Sequence, residues 1–363
     1  MANTEQPNFE LKPLTEATAE DFKSVVARRF SPGAIRLIDY ILTNPLRSEN
    51  SSCGDIVYEN GRPVCIQAAI LRKMYHGQKA FLGVIGGFLA RLPDASPETL
   101  LQVISRTISS RGGSSLFFAN TAVKTTVKLF GLLKVKKNGG PTWMRMRVRT
   151  FRPLTRWYMM QCELHPRLPK LKFAAEPISA EDVAVSQSGR LSVCRRMSFD
   201  EQGFGDFWAR YLKESQGVVS SRDPETLKWI FERQLTNGRA LMFCAFEGEY
   251  QVGYCIVNRS ASTAREWRLM DMLAIGDNPS VLDSLLGGAI KYLKAKTSSV
   301  SISVKGFPKK VDSLLKRHFP VEVKSAHNPF LYAAQGDKLL GDAVERSLSD
   351  GWFGCPYDGD AVL

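Results

Sequence analysis

Apolar residues along the chain fall into runs broken by short polar or glycine-containing stretches, and the spacing inside each run predicts its conformation. Residues 81–90, FLGVIGGFLA, are an apolar run long enough for a buried strand. After a break at Leu92, Pro93, Asp94 and Ala95, residues 96–110 place Leu100, Leu101, Val103, Ile104 and Ile108 on or near one helical face. A second break, Arg111-Gly112-Gly113, leads to the apolar run 115–119, which ends at Asn120. A helical segment over 123–130 follows and closes at Gly131. Strand, helix, strand, helix implies a parallel strand pair joined by a right-handed crossover.

Upstream, residues 19–26 read as a helix with Thr18 at its N-cap, and 32–42 as a second helix. Residues 55–59 and 63–70 read as strands joined at Asn60-Gly61, a hairpin signal. Residues 143–150 alternate apolar and basic side chains, as in a half-buried strand with a cationic face. Such a face is an anion-contacting strip or, with greater weight, a solvated outer surface. Residues 151–175, with Pro153, Pro166 and Pro169, read as an irregular connector.

The same order returns further along. A helix over 204–214 carries Phe204, Phe207, Trp208 and Leu212 on one face. Another helix begins near Pro224, with Ser221 or Asp223 as its cap. Strands are expected over 240–246 and 250–257, turning at Glu247-Gly248-Glu249, and over 267–275. A loop at Gly276-Asp277-Asn278-Pro279, a helix over 280–294, a strand over 300–304 and a helix over 309–318 complete the set. One structural unit is therefore expected twice, giving an α/β protein with mixed sheets and two tandem domains, 1–150 and 176–363, joined by the connector.

The 363 residues suffice for two ordinary domains, and 44% hydrophobic with 23% charged residues is the balance of a folded chain. The net charge of +13 fits an anionic partner such as a phosphorylated cofactor or acidic polymer. The basic residues are spread over 124–137, 145–156, 167–172 and 305–317, which disfavours a single nucleic-acid groove. Seven cysteines without a Cys-x-x-Cys spacing point to reduced, mostly buried thiols, and the four histidines have no metal-ligand spacing, so no metal is expected. With neither a secretion signal at the N-terminus nor an apolar run long enough to span a bilayer, a cytoplasmic location without a membrane span is expected.

The stretch 81–135 resembles the central half of GNAT-type acyltransferases, in which acyl-CoA lies in a notch between two parallel strands and its pyrophosphate rests on the loop opening the intervening helix. That loop usually reads Arg/Gln-x-x-Gly-x-Gly/Ala; here Arg91 matches, but Asp94 and Ser96 stand at the glycine positions. The pair Arg222-Asp223 followed by Leu227 and Trp229, with Trp352 and Asp358-Gly359-Asp360 near the end, resembles GNAT-like proteins associated with bacterial exopolysaccharide synthesis; Ile230 replaces that group's arginine. The resemblance implies acetyl-CoA or a longer acyl-CoA as co-substrate and an amine-bearing acceptor, an amino sugar or a carrier-linked intermediate. It implies a cofactor-binding set of Gly87, Phe88, Leu89, Ala90, Ser96 and Asn120; Lys124, one helical turn from Lys128, is either a further phosphate-attracting group or, with greater weight, part of a solvated face. Gly86-Gly87 suits a bulge or close backbone approach. Asp271, a carboxylate within an apolar strand, is the candidate general base, with a structural hydrogen-bonding role as its alternative. Two rival functions remain open: a non-catalytic tandem module used for binding or scaffolding, and a binder of RNA or an acidic polymer.

Overall fold

The computed structural model of the chain describes residues 8–30, 34–47, 52–109, 114–120, 136–138, 143–147, 183–188, 190–215, 217–259, 266–296, 301–305, 311–318, 321–323, 330–334 and 342. Strand β1 (Phe9–Pro13) precedes α1 (Ala19–Arg29) and α2 (Ile35–Leu42). A meander of β2 (Gly54–Glu59), β3 (Arg62–His76) and β4 (Lys79–Arg91) leads to α3 (Glu98–Ser109), β5 (Ser114–Asn120), β6 (Lys136–Asn138) and β7 (Trp143–Arg147). The chain continues through β8 (Val183–Ser188), β9 (Leu191–Arg196), α4 (Glu201–Glu214), β10 (Val218–Ser220) and α5 (Pro224–Thr236). Then come β11 (Ala240–Glu247), β12 (Tyr250–Arg259), β13 (Glu266–Ala274), a 3-10 turn at Ile275–Asp277 and α6 (Pro279–Lys296). The last described elements are β14 (Ser301–Lys305), α7 (Asp312–His318), β15 (Val321–Val323) and β16 (Phe330–Ala334).

These strands make two mixed sheets. The first runs β1-β2-β3-β4-β5-β16-β6, with β10 added to β3; the second runs β15-β7-β14-β13-β12-β11-β9-β8. Each has an antiparallel meander, a crossover helix and one parallel pair, β4 with β5 and β13 with β14. In each, an antiparallel strand then lies beside the crossover's second strand: β16 beside β5, and β7 beside β14. The described strands thus form two sheets of like order. Whereas the sequence pattern suggested domains 1–150 and 176–363 joined by a connector over 151–175, the compact units interleave. One comprises 1–141, 215–229 and 326–363, the other 142–214 and 230–325. The reason is strand pairing: β7 completes the second sheet and β16 the first.

Local chemistry explains much of each unit. Asn60 and Gly61 both have positive φ, 52° and 77°, as a tight hairpin with matching strand twist requires. β3 is buried continuously from Val64 to Leu71, so both faces of the first sheet are covered there. The Tyr58 hydroxyl donates to Asp21 on α1 at 2.5 Å. Thr18 occupies the N-cap position of α1, but its hydroxyl donates back to the Pro13 carbonyl at 2.7 Å and makes no cap bond. α1 instead carries Glu20 and Asp21 in its first turn and Arg28 and Arg29 in its last, complementing the helix dipole. Asp223, by contrast, caps α5 by accepting from the Thr226 N–H at 2.7 Å.

In the second unit α6 covers a core of Leu241, Phe243, Cys255, Val257, Trp267 and Leu269, among others. Its close approach depends on Gly253: a Cβ there would lie 2.8 Å from Val281 Cγ1 and 2.9 Å from the Leu273 carbonyl oxygen. Among the described residues no helix is long and apolar enough to cross a membrane, and no group of three His, Cys, Asp or Glu is placed to hold a metal. The expected helix over 123–130, the connector 151–175 and the tail motif at Trp352 and 358–360 lie outside the described residues.

Candidate functional site

In the first unit β4 runs parallel to β5 only from Leu82, opposite Ser114, to Gly86, opposite Ala119. Past Gly86 the two strands no longer pair. On its other side β4 continues along β3, but with a bulge: Gly87 opposes Ala68 and Ala90 opposes Ile66, so Phe88 and Leu89 together face Gln67. Phe88 has φ 47°, a left-handed conformation that costs a non-glycine residue about 1–3 kcal/mol. A bulge takes its extra residue out of the ladder and turns backbone groups from their strand partner. Gly86, Phe88, Leu89 and Arg91 remain half-buried along this divergent segment. The Phe88 ring packs edge-on against Phe30, just beyond α1, with centroids 5.5 Å apart.

Gln67 is 1% exposed, and its side-chain oxygen has no hydrogen-bond partner among the described residues. Leaving such a group unpartnered costs about 1–3 kcal/mol. Its signal in the sequence was there: one carboxamide inside the apolar run 63–70.

The loop from β4 into α3 is held by charge. Asp94 pairs with Arg62 at 2.8 Å, and that hydrogen bond draws its carboxyl below the usual range. Arg91 donates to the Ala95 carbonyl. The Ser96 N–H donates to the Glu59 carboxylate at 3.2 Å, and the Ser96 hydroxyl donates to Glu98. A carboxylate thus already sits on the amide that opens α3, the kind of donor that helix N-termini offer to phosphates. Below the loop, Cys65 is buried, which pushes its thiol up to about 12 and keeps it protonated near neutrality.

The second unit repeats the geometry with different filling. β13 pairs in parallel with β14 only from Glu266 to Arg268. A bulge follows immediately: Leu269 opposes Val257 and Asp271 opposes Ile256, leaving Met270 as the extra residue. Here every residue from Leu269 to Ala274 is buried. Asp271 is fully buried, and the Tyr254 hydroxyl donates to its carboxylate. Phe204 and Phe207 of α4 pack on the Tyr254 ring, with centroids 5.5 and 5.6 Å away. The following turn has successive positive φ at Gly276 and Asp277, 58° and 51°. Asn278 then caps α6, its side-chain oxygen accepting from the Ser280 and Val281 N–H groups at 3.0 and 3.4 Å.

Of the candidate set, Gly87, Phe88, Leu89 and Ala90 fall on the bulged segment, Ser96 opens α3, and Asn120 ends β5 one residue past its last partner on β4. Lys124 lies outside the described residues. Asp271 belongs to the other unit, at the equivalent bulge. In the Arg222 segment, Arg222 is fully buried and donates to the Ser220 carbonyl and hydroxyl at 2.7 and 2.8 Å, and Trp229 stacks on Tyr40 at 4.7 Å.

No protein-family profile matches the sequence. No curated protein matches it in sequence either. Solved structures do match in shape. A GCN5-related N-acetyltransferase from Kribbella flavida superposes with TM-score 0.59 at 12% identity, covering 92% of this chain and 72% of its own. A second GCN5-related N-acetyltransferase, from Anabaena variabilis, gives TM-score 0.59 at 10% identity, covering 90% and 73%. Saccharomyces cerevisiae N-myristoyltransferase, in a structure with bound myristoyl-CoA and inhibitors, gives 0.52 at 10% identity, covering 92% and 83%. The likeness is one of fold: this mixed α/β chain is similar in fold to GCN5-related N-acetyltransferases at 10–12% sequence identity.

Proposed function

We propose that the protein is an acyl-CoA-dependent N-acyltransferase whose acyl-CoA seat is the divergence of β4 from β5 in the first unit. The observation that supports this most directly is the segment Gly86–Arg91, half-buried at Gly86, Phe88, Leu89 and Arg91, where a bulge coincides with the end of parallel pairing. A thioester oxygen at such a bulge can accept a backbone N–H, which stabilises the oxyanion formed when an amine attacks. The Gln67 carboxamide opposite the bulge offers a further polar group in a dry setting. Coenzyme pyrophosphate at α3 would compete with Glu59 for the Ser96 N–H, while Arg62 and Arg91 offer compensating charge. The acceptor in this reading is an amine, on an amino sugar or a carrier-linked intermediate.

A second reading places the chemistry in the second unit, with Asp271 as general base. It is favoured by the position of Asp271 at the second bulge under the Tyr254 hydroxyl. Full burial of residues 269–274 weighs against it, because neither acceptor nor cofactor reaches a base so enclosed.

Calorimetry with acetyl-, lauroyl- and myristoyl-CoA tests both readings. The first expects one of these to bind and Leu89→Glu to abolish binding, with Asp271→Asn retaining it. Binding that survives Leu89→Glu, together with acyl transfer lost in Asp271→Asn, selects the second unit. Absence of binding by all three overturns the enzyme proposal and leaves a non-catalytic tandem module.

A further inference from the structure

Cys194 on β9 and Cys244 on β11 are direct register partners, between the pairs Val193–Ala245 and Arg195–Phe243. Opposed residues of an antiparallel pair share a face, with Cβ atoms about 4.5–5.5 Å apart. A disulfide needs Cβ atoms about 3.5–4.5 Å apart, so a closure of about 1 Å suffices. Val193, Phe243 and Ala245 belong to the core under α6, so by alternation Cys194 and Cys244 lie on the opposite face. Both are thiols; Cys194 is half-buried and Cys244 buried. Cys194 is therefore the more exposed of the two, and Cys244 lies directly across the ladder from it.

The remaining described thiols lack this arrangement. Cys53, Cys65 and Cys255 are buried. Cys65 opposes Val57 and Arg91, and Cys255 opposes Phe243 and Met272.

We propose that Cys194 and Cys244 are a site of reversible oxidation, closing to an intrachain disulfide by exchange with a low-molecular-weight disulfide such as oxidised glutathione. The Cys194 thiolate attacks one sulfur of the reagent, forming a mixed disulfide and expelling one glutathione thiolate. The Cys244 thiolate then attacks the Cys194 sulfur, forms the protein disulfide and expels the second. Two protein thiols are oxidised, one reagent disulfide is reduced, and the two protons go to the released thiolates. Cys244 also opposes Tyr254 on β12, so the new bond lies in the row that ends at the Tyr254–Asp271 hydrogen bond.

The test treats the reduced full-length protein with oxidised glutathione, alkylates the remaining thiols and maps tryptic peptides without reduction. Cys194 falls in peptide 191–195, whereas Cys244 and Cys255 share peptide 240–259. The expected result is loss of two of the seven alkylatable thiols and a cross-link between these peptides, which fragmentation assigns to Cys244. The cross-link vanishes in Cys194→Ser and persists in Cys255→Ala. Full alkylation of both residues, a lasting glutathione adduct on Cys194 without a cross-link, or a bond to any other cysteine overturns the proposal. The assignment is made on the unmodified sequence, so a poorly folding variant does not remove the test.

Discussion

Replacing Tyr254 by Phe removes one oxygen from the centre of the second unit and leaves the ring in place against Phe204 and Phe207. Tyr254 and Asp271 are both fully buried, so water does not take over the lost donation. A hydrogen bond to a charged group contributes about 1.5–3 kcal/mol. Leaving a buried charge without its sole partner costs about 3–5 kcal/mol. Asp271 has further interactions, which places the expected loss nearer the lower range, about 2 kcal/mol. With a urea m-value of about 3 kcal/mol/M, the midpoint falls by about 0.7 M. The assay is urea unfolding followed by tryptophan fluorescence, repeated in an Asp271→Asn background. There the acceptor is neutral, and the same Tyr254→Phe change is expected to cost only about 0.5–1.5 kcal/mol. Equal costs in the two backgrounds, or a midpoint unchanged within about 0.2 M, would refute the claim that this hydroxyl stabilises the carboxylate.

Three other outcomes are expected. Gly253→Ala forces a Cβ against the Leu273 carbonyl and Val281, and loses about 1–3 kcal/mol in urea unfolding; a neutral result would mean that α6 lifts without cost. Asn278→Ala removes the acceptor for two N–H groups at the start of α6 and costs about 1 kcal/mol, which Asn278→Ser largely restores; equal stability of all three forms would exclude the cap. The Arg47 guanidinium, donating to Glu16 at 2.6 Å, holds that carboxyl at about 2 instead of 4.5. A lowered folded-state value stabilises above the unfolded value and is lost as pH falls toward the folded one. The Tm advantage of the unmodified protein over Glu16→Gln, measured from pH 6 downward, should therefore be full above about pH 5 and vanish by about pH 2.

Much of the local structure was legible because it depends on neighbours in sequence. Asn60-Gly61 tolerates the positive φ of the hairpin, and Asp223-Pro224 starts α5 with an acceptor and a residue needing no N–H donor. The apolar run at 81–90 announced a strand, and Gly86-Gly87 marked where it departs from regularity. The order of elements, repeated, announced two sheets. Less legible were the short strands β1, β6, β10, β15 and β16, whose three to five residues are too few to establish a period. Asp271 stood out as a carboxylate in an apolar strand, but its burial against the Tyr254 hydroxyl was not written in that pattern.

The sequence by itself determined the longer helices and strands and where the turns between them fall, because these follow from side-chain periodicity and turn-residue conformation within a few positions. Only the tertiary structure decided that β7 joins β14 while β16 joins β5, since backbone hydrogen bonds that pair strands are the same for every residue and carry no address. It also decided that one bulge stays half-open at Phe88 and Leu89 while its counterpart at Met270 is sealed, because burial depends on packing from distant parts of the chain.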